Sequence, residues 1–267
     1  MIPPIIHQTW KTKTGLSDCH AFWRDSFREV NPSFSHPLYD DADNLALVTE
    51  KAPALLPAYR AFPQEIYRVD MVRALYLFFF GGFYADLDFQ CLRPFGKYCA
   101  MPRLVFGRMG TFQAQENFEH EIPNALMASP PFDAFWLFYL SGILKAQTAM
   151  TMGGEARVEY VTGPVALRQA LLAYIGDPEH ARRTVKEFLR LYPIAFPRER
   201  LASHEALILP SHVWYPINWA DKLHQMFRRT VVEEGYLPSL EDARALFPHS
   251  DAVTYWQRSW LETATGA

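Results

Sequence analysis

The stretch Leu75-Tyr76-Leu77-Phe78-Phe79-Phe80-Gly81-Gly82-Phe83-Tyr84-Ala85-Asp86-Leu87-Asp88 constrains the fold of this chain more than any other. Its apolar residues demand burial, whereas the two carboxylates at its end are costly to bury without a partner. Gly81-Gly82 divides the run, and a glycine pair lets a helix stop and the chain turn sharply into a strand. If Phe83 to Asp88 is extended, alternation sets Asp86 and Asp88 on one face and turns Leu87 into the protein. Mg²⁺ and Mn²⁺ prefer hard oxygen ligands, take one or two carboxylates, and fill their other positions with water and phosphate oxygens. The feature therefore points to a metal-bridged diphosphate. The competing reading is a solvated strand end with two surface acids.

A bare D-x-D is a short pattern, and the chain contains a second one. Asp41-Ala42-Asp43 lies in the polar stretch Asp40 to Asn44, which reads as a turn or helix start. Only Asp86 and Asp88 follow a buried segment. Ahead of them, Pro63-Gln64-Glu65 opens a helix with proline and acid in its first turn. Ile66, Val69, Val72, Tyr76 and Phe79 recur at helical spacing and give that helix a buried stripe. Asp70 and Arg73 share a different face at i and i+3. They are either a surface ion pair or an acceptor and planar donor offered to a polar ligand, and the spacing leaves both open.

At the start, Pro3 to Thr9 reads as a short strand, followed by a helix from about Ser17 to Val30. His36 to Tyr39 then reads as a second strand and Asp43 to Glu50 as a second helix. Strand then helix, twice, signals α/β layering. His7-Gln8-Thr9-Trp10 falls at the carboxyl end of the first strand, where open α/β sheets bind ligands. Beyond Asp88, extended pieces are expected at Leu104 to Arg108 and Pro123 to Ala128. Helices are expected at Phe132 to Gln147, Pro164 to Ile175 and Glu179 to Leu191. Thr148 to Gly154 reads as loose, Pro193 to Trp219 as short strands and loops, and Phe227 to Pro238 as an interaction segment.

The 267 residues carry a formal charge of −3, which argues against a general nucleic-acid binder. The start lacks a basic segment followed by a long apolar stretch, and the longest apolar run is too short and glycine-broken to span a bilayer. Three cysteines form neither a paired framework nor a metal-ligand spacing, which fits a reducing compartment. No phosphate loop of the G-x-x-x-x-G-K-[ST] type occurs.

Taken in order, Ile5-Ile6-His7-Gln8-Thr9-Trp10-Lys11-Thr12, Tyr67 to Arg73 and Gly81 to Asp88 resemble the DXD-containing sugar transferases of the Och1-like family, glycosyltransferase family 32. More distantly, they resemble the glucosylating clostridial toxins. The resemblance is strongest over residues 1–95 and continues through Asn124 to Ser129 and Thr162-Gly163-Pro164 to Ser259-Trp260. It implies an α/β fold of GT-A type, a Rossmann-like nucleotide-sugar-binding fold with additional helices. One domain would span 1–267, with a nucleotide-sugar-binding core over 1–130 and acceptor-side and C-terminal elements over 131–267. By position, Trp10 would stack on the nucleobase while His7, Gln8 and Thr9 line the nucleotide pocket. Asp70 and Arg73 would hold sugar hydroxyls, with Tyr84 and Asn124 bordering the donor. Asp86 would contact ribose or sugar and reach the metal through water, and Asp88 would bind Mn²⁺ or Mg²⁺ directly. Asp86, Asp88 and Arg73 form the implied catalytic set.

Family members often carry histidines near the C-terminus that complete the metal or diphosphate site. Here that stretch reads Val253-Thr254-Tyr255-Trp256-Gln257-Arg258-Ser259-Trp260. Thr254 or Tyr255 is left to supply oxygen and Arg258 to neutralise diphosphate, with Ser259 and Trp260 closing the site. The implied activity is retaining transfer of a hexosyl group from a UDP- or GDP-sugar to a glycan, lipid-linked or other hydroxyl acceptor. Two other readings are a metal-dependent phosphohydrolase and a non-catalytic nucleotide-sugar or carbohydrate-binding module. The expected setting is cytoplasmic, with peripheral contact at the inner face of the membrane.

Overall fold

The computed structural model describes residues 1–110, 119–154, 156–197 and 205–257. The first strand, β1 (Ile6–Thr9), is buried along its whole length and leads to α1 (Asp18–Val30), whose N-terminus is capped by Ser17. Next come the short β2 (Leu38–Tyr39) and α2 (Asp41–Lys51). Asp40 and Asp43 form a capping box at the start of α2, so the Asp41-Ala42-Asp43 pair is a helix start, as its composition indicates.

A short turn and α3 (Leu56–Ala61) precede α4 (Glu65–Phe80). The apolar stripe of α4 is only part of its buried surface, because every residue from Asp70 to Phe78 is enclosed. Packing against α2 on one side and a later long helix on another encloses this middle stretch. The helix stops at Gly81, with φ 63°, and Gly82, with φ 87°, starts β3 (Gly82–Ala85). A Cβ on Gly82 would lie 2.5 Å from the Ile5 carbonyl oxygen, so glycine is required both by the dihedral and by the close approach of the first strand.

The strand ends at Ala85, earlier than alternation through Asp88 requires. Leu87 and Asp88 form a turn into β4 (Phe89–Cys91), so the two aspartates meet around a turn rather than along one strand face. α5 (Gly96–Cys99), β5 (Leu104–Gly107) and β6 (Leu126–Ser129) follow. The long helix α6 (Ala134–Thr151) continues through most of the segment read as loose. Then come α7 (Val158–Val161), α8 (Pro164–Gly176), α9 (Pro178–Leu191), β7 (Ala206–Leu209) and α10 (Ser211–Trp214). The segment read as a loose interaction region lies largely in α11 (Lys222–Glu233), capped by Asp221; α12 (Leu240–Leu246) and β8 (Ala252–Thr254) complete the described chain.

The central sheet has the order β2-β1-β3-β6-β5-β7. Every pairing is parallel except the two that β6 makes, with β3 and with β5. Helices cover both faces: Ile6 and Phe83 belong to a core with Phe27, Phe95 and Trp214, while Tyr84 and Met127 belong to a larger core with α4 and α6. A separate antiparallel pair, β4 and β8, carries the C-terminal segment to the turn at Asp88. No helix among the described residues is long and apolar enough to cross a membrane.

Candidate active site

The ends of β1 and β3 and the start of β6 lie side by side, and the chemistry-bearing residues gather there. The centre is an enclosed chain of charges. Arg73 reaches Asp70 through Nη1 at 3.2 Å and Asp86 through Nη2 at 3.1 Å. Asp70 and Arg73 are both buried, so the surface ion pair allowed by their spacing is ruled out. Asp70 also accepts from Asn124 Nδ2 at 2.9 Å and from Thr162 Oγ1 at 2.9 Å, while the Asn124 carbonyl accepts from Arg73 at 3.3 Å.

Burial pushes the Asp70 carboxyl up to about 6, against the opposing pull of Arg73, Thr162 and Asn124. Burial works against the Arg73 charge too, but Asp86, Tyr84 and Asp70 more than offset it and hold the guanidinium above its usual range. Removing the charge of either acid would leave a buried cation poorly compensated, which is why Arg73 stays charged.

Asp86 and Asp88 are half-buried and open to a ligand. Burial raises Asp86, while Arg73 and a hydrogen bond from Tyr84 Oη at 2.9 Å oppose the rise. Asp88 is raised to about 7, first by burial and then by the negative charge of Asp86. Its partners are neutral: the Gln257 amide donates at 3.2 Å and the Thr254 hydroxyl donates as well. The turn that aims Gln257 places Trp256 at φ 54°, a conformation that a bulky residue adopts only when its surroundings enforce it. Those surroundings are the Tyr215 ring stacked on Trp256 at 5.8 Å and Arg228, which donates to the Trp256 carbonyl at 2.8 Å.

Among the described residues no group of three or more His, Cys, Asp or Glu side chains gathers in a metal-binding arrangement. The candidate cation ligands are thus the pair Asp86 and Asp88. Asp70 and Asp86 pair with one guanidinium and Asp88 adds a third carboxylate that feels the charge of Asp86, leaving a surplus of two negative charges when all are ionised. A hard divalent cation matches that surplus and that donor set, so the residues present fit Mg²⁺ or Mn²⁺.

The remaining candidates divide. Trp10, the residue after Thr9 at the end of β1, is half-buried, its ring tilted over His20 at 4.3 Å. Gln8 is buried, and its Nε2 makes no hydrogen bond. Thr9 is buried, with Oγ1 2.9 Å from Tyr84 Oη. Tyr84 is wholly enclosed, so it supports Asp86 rather than bordering a ligand.

His7 is drawn away from a pocket role. Its ring lies alongside the stacked Tyr39 and Tyr76 rings, with Nδ1 3.2 Å from Tyr39 Oη and Nε2 2.8 Å from the Gly81 carbonyl. Burial lowers its pKa to about 4. The unfolded chain takes up this proton near pH 6.5 and the folded chain only near 4, so the neutral ring adds stability above 6.5 that acid removes. Between pH 6.5 and 4 the unfolding free energy should fall by about 3 kcal/mol from this residue alone. Urea titrations at several pH values should show that part of the slope disappear in His7→Gln.

At the C-terminal side, the Thr254 hydroxyl donates to Asp88. Tyr255 does not. Its hydroxyl donates to Gln90 Oε1 at 2.7 Å and its ring stacks on Trp23 in a buried core, so it supplies no oxygen to the cluster. Arg258, Ser259 and Trp260 lie outside the described residues. Sequence reasoning gave no role to Thr162, which fixes the second oxygen of Asp70. Its signal was the Thr162-Gly163-Pro164 triplet directly before α8, where Tyr139 on α6 also hydrogen-bonds the Thr162 carbonyl.

Comparison with known proteins agrees with this geometry. Residues 6–105 match the family described as a glycosyltransferase sugar-binding region containing DXD motif. Inositol phosphoceramide mannosyltransferase 2 of Schizosaccharomyces pombe is 34% identical over 91 residues, covering 34% of this chain and 26% of that protein. A mannosyl phosphorylinositol ceramide synthase of Saccharomyces cerevisiae is 27% identical over 146 residues, covering 54% and 35%. The chain thus spans about a quarter to a third of the length of these relatives. In structure, the PaToxG glycosyltransferase aligns over 74% of this chain and 82% of its own with a TM-score of 0.50 and 16% identity, which shows a shared α/β fold of the GT-A type. Residues 6–105, which hold β1, α4 and the Asp86-Leu87-Asp88 turn, are thus the part of the chain that is similar to the DXD-containing sugar-binding regions of glycosyltransferases.

Proposed function

We propose that this protein transfers a hexosyl group from a UDP- or GDP-sugar to a hydroxyl of a glycan or glycolipid. The observation that carries the reading is the Asp70–Arg73–Asp86 chain, buried at Asp70 and Arg73 and half-buried at Asp86, which ends beside Asp88 at the strand ends where α/β sheets bind nucleotides. The relatives named as an inositol phosphoceramide mannosyltransferase and a mannosyl phosphorylinositol ceramide synthase support a hexosyl donor and a lipid-linked acceptor.

Asp70 accepts hydrogen bonds from Asn124 and Thr162 and pairs with Arg73, which fixes it behind the donor side of the site. Arg73 locks Asp70 and Asp86 in register, so the sugar and the diphosphate are held by one rigid unit. When bound, Mg²⁺ or Mn²⁺ held by Asp88 and Asp86 supplies positive charge opposite the departing diphosphate. Transfer with retention proceeds on one face: the anomeric carbon–phosphate oxygen bond breaks as the acceptor oxygen bonds the same carbon. The acceptor proton passes to the departing phosphate.

The same grip without turnover defines a binding module, which the commitment of Tyr255 to Gln90 favours as the second reading. Trp10 tests the nucleotide assignment common to both. Trp10→Ala should weaken UDP or GDP binding about tenfold, the loss of one base–aromatic stack. Calorimetry showing unchanged affinity for both diphosphates would remove the stacking role.

A further inference from the structure

Tyr84 has one phenolic proton, and it goes to Asp86 Oδ1 at 2.9 Å. The contact between Thr9 Oγ1 and the same phenolic oxygen, also 2.9 Å, therefore has Thr9 as its donor. Thr9 on β1 and Tyr84 on β3 belong to neighbouring parallel strands, and both side chains are buried, so the two hydroxyls form an enclosed relay. The Arg73 guanidinium lies 4.9 Å above the Tyr84 ring and forms an ion pair with the same oxygen of Asp86. Asp86 Oδ1 is thus held from two directions, whereas Oδ2 has no hydrogen-bond or ion-pair partner among the described residues, and the side chain is 28% exposed.

We propose that Thr9 is a positioning residue which, through Tyr84, fixes Asp86 so that it presents Oδ2 alone to the metal–diphosphate end of a nucleotide. This rests on the reading of the site as a nucleotide-sugar site, and it gives Thr9 a role other than direct contact with the nucleotide. Asp86 then acts as a single-oxygen ligand. A carboxylate free to rotate would spend part of its time offering neither oxygen in the required direction, so loss of the relay weakens metal-dependent binding while leaving the base contact alone.

The test is calorimetry of UDP and GDP with and without Mn²⁺ on the full chain. For Thr9→Val, an isosteric change that removes only the hydroxyl, Mn²⁺-dependent affinity should fall about fivefold and metal-free affinity should stay unchanged. Thr9→Ser should recover to within about twofold. Tyr84→Phe should show a similar fall, and adding Thr9→Val to it should cost nothing more, because both act through one bond. Parental Mn²⁺-dependent affinity in Thr9→Val, a matching loss of metal-free affinity, or additive losses would each overturn the relay. Crystal structures of the parent and of Thr9→Val test it independently of any nucleotide. A changed Asp86 rotamer supports the relay and an unchanged one overturns it, even for a parent protein that binds neither diphosphate.

Discussion

Asp88→Ala should abolish metal-dependent binding of nucleoside diphosphate, and with it any sugar transfer, while leaving the protein at least as stable as the parent. The two effects have one cause. Asp88 is pushed to about 7 by burial and by Asp86, and the donors facing it among the described residues, Gln257, Thr254 and a backbone amide, are neutral. A carboxyl raised in this way favours the fold while protonated. Ionising it costs stability that grows from the unfolded-state pKa, near 4, up to about 7. Removing the group relieves that cost above neutral pH. Loss of function joined to retained or increased stability marks a residue kept for a ligand rather than for the fold. Urea denaturation at pH 8 without metal, paired with calorimetry in Mn²⁺, reads both. A clear drop in stability would make Asp88 structural, and undiminished metal-dependent binding would remove it from the site.

Arg73→Met should produce the opposite pairing, loss of both function and stability. Arg73 is the sole cation in ion-pair contact with Asp70 and Asp86 among the described residues, and it is buried together with Asp70. Truncating one partner of such a network leaves buried charge uncompensated, at a cost of about 3–5 kcal/mol. Asp70→Asn introduced into Arg73→Met should restore part of that stability, because the amide needs no counter-ion; it should not restore binding. Denaturant unfolding of the two single variants and the double variant measures the coupling. Strictly additive losses would mean that the ion pair contributes nothing beyond its separate side chains. Arg73→Lys keeps the charge but a point ammonium cannot span Asp70 and Asp86 as the guanidinium fork does, so binding stays impaired.

Much of this was legible in the chain, and the limits have physical causes. Gly81-Gly82 announced the end of α4 because the positive φ at both positions is a local demand of the backbone. Asp40 to Asp43 was readable as a helix start for the same reason: a capping box is closed within four residues. The i to i+3 spacing of Asp70 and Arg73 gave their shared face, but not their burial against Asn124, Thr162 and Tyr139 of α6, all far along the chain. Alternation misled at Asp86 and Asp88, because pairing of Phe89 to Cys91 with β8 starts a new strand there and the chain must turn to reach it. The same long-range pairing brings Thr254 and Gln257 to Asp88, and no local pattern reports a partner so distant in sequence. His7 shows the converse: its place at a strand end marked it as a ligand residue, but its side chain lies on the face covered by Tyr39 and Tyr76.

The central claim, that Asp70, Arg73, Asp86 and Asp88 form the donor grip of a sugar transferase, is tested most directly by incubating the purified protein with a panel of UDP- and GDP-hexoses and following nucleoside diphosphate release with and without Mn²⁺. The account predicts release from at least one donor, stimulated by Mn²⁺ and absent in Asp88→Ala. No Mn²⁺-stimulated release from any donor, in a folded protein that still binds UDP or GDP through the metal, would contradict transfer and leave a binding module.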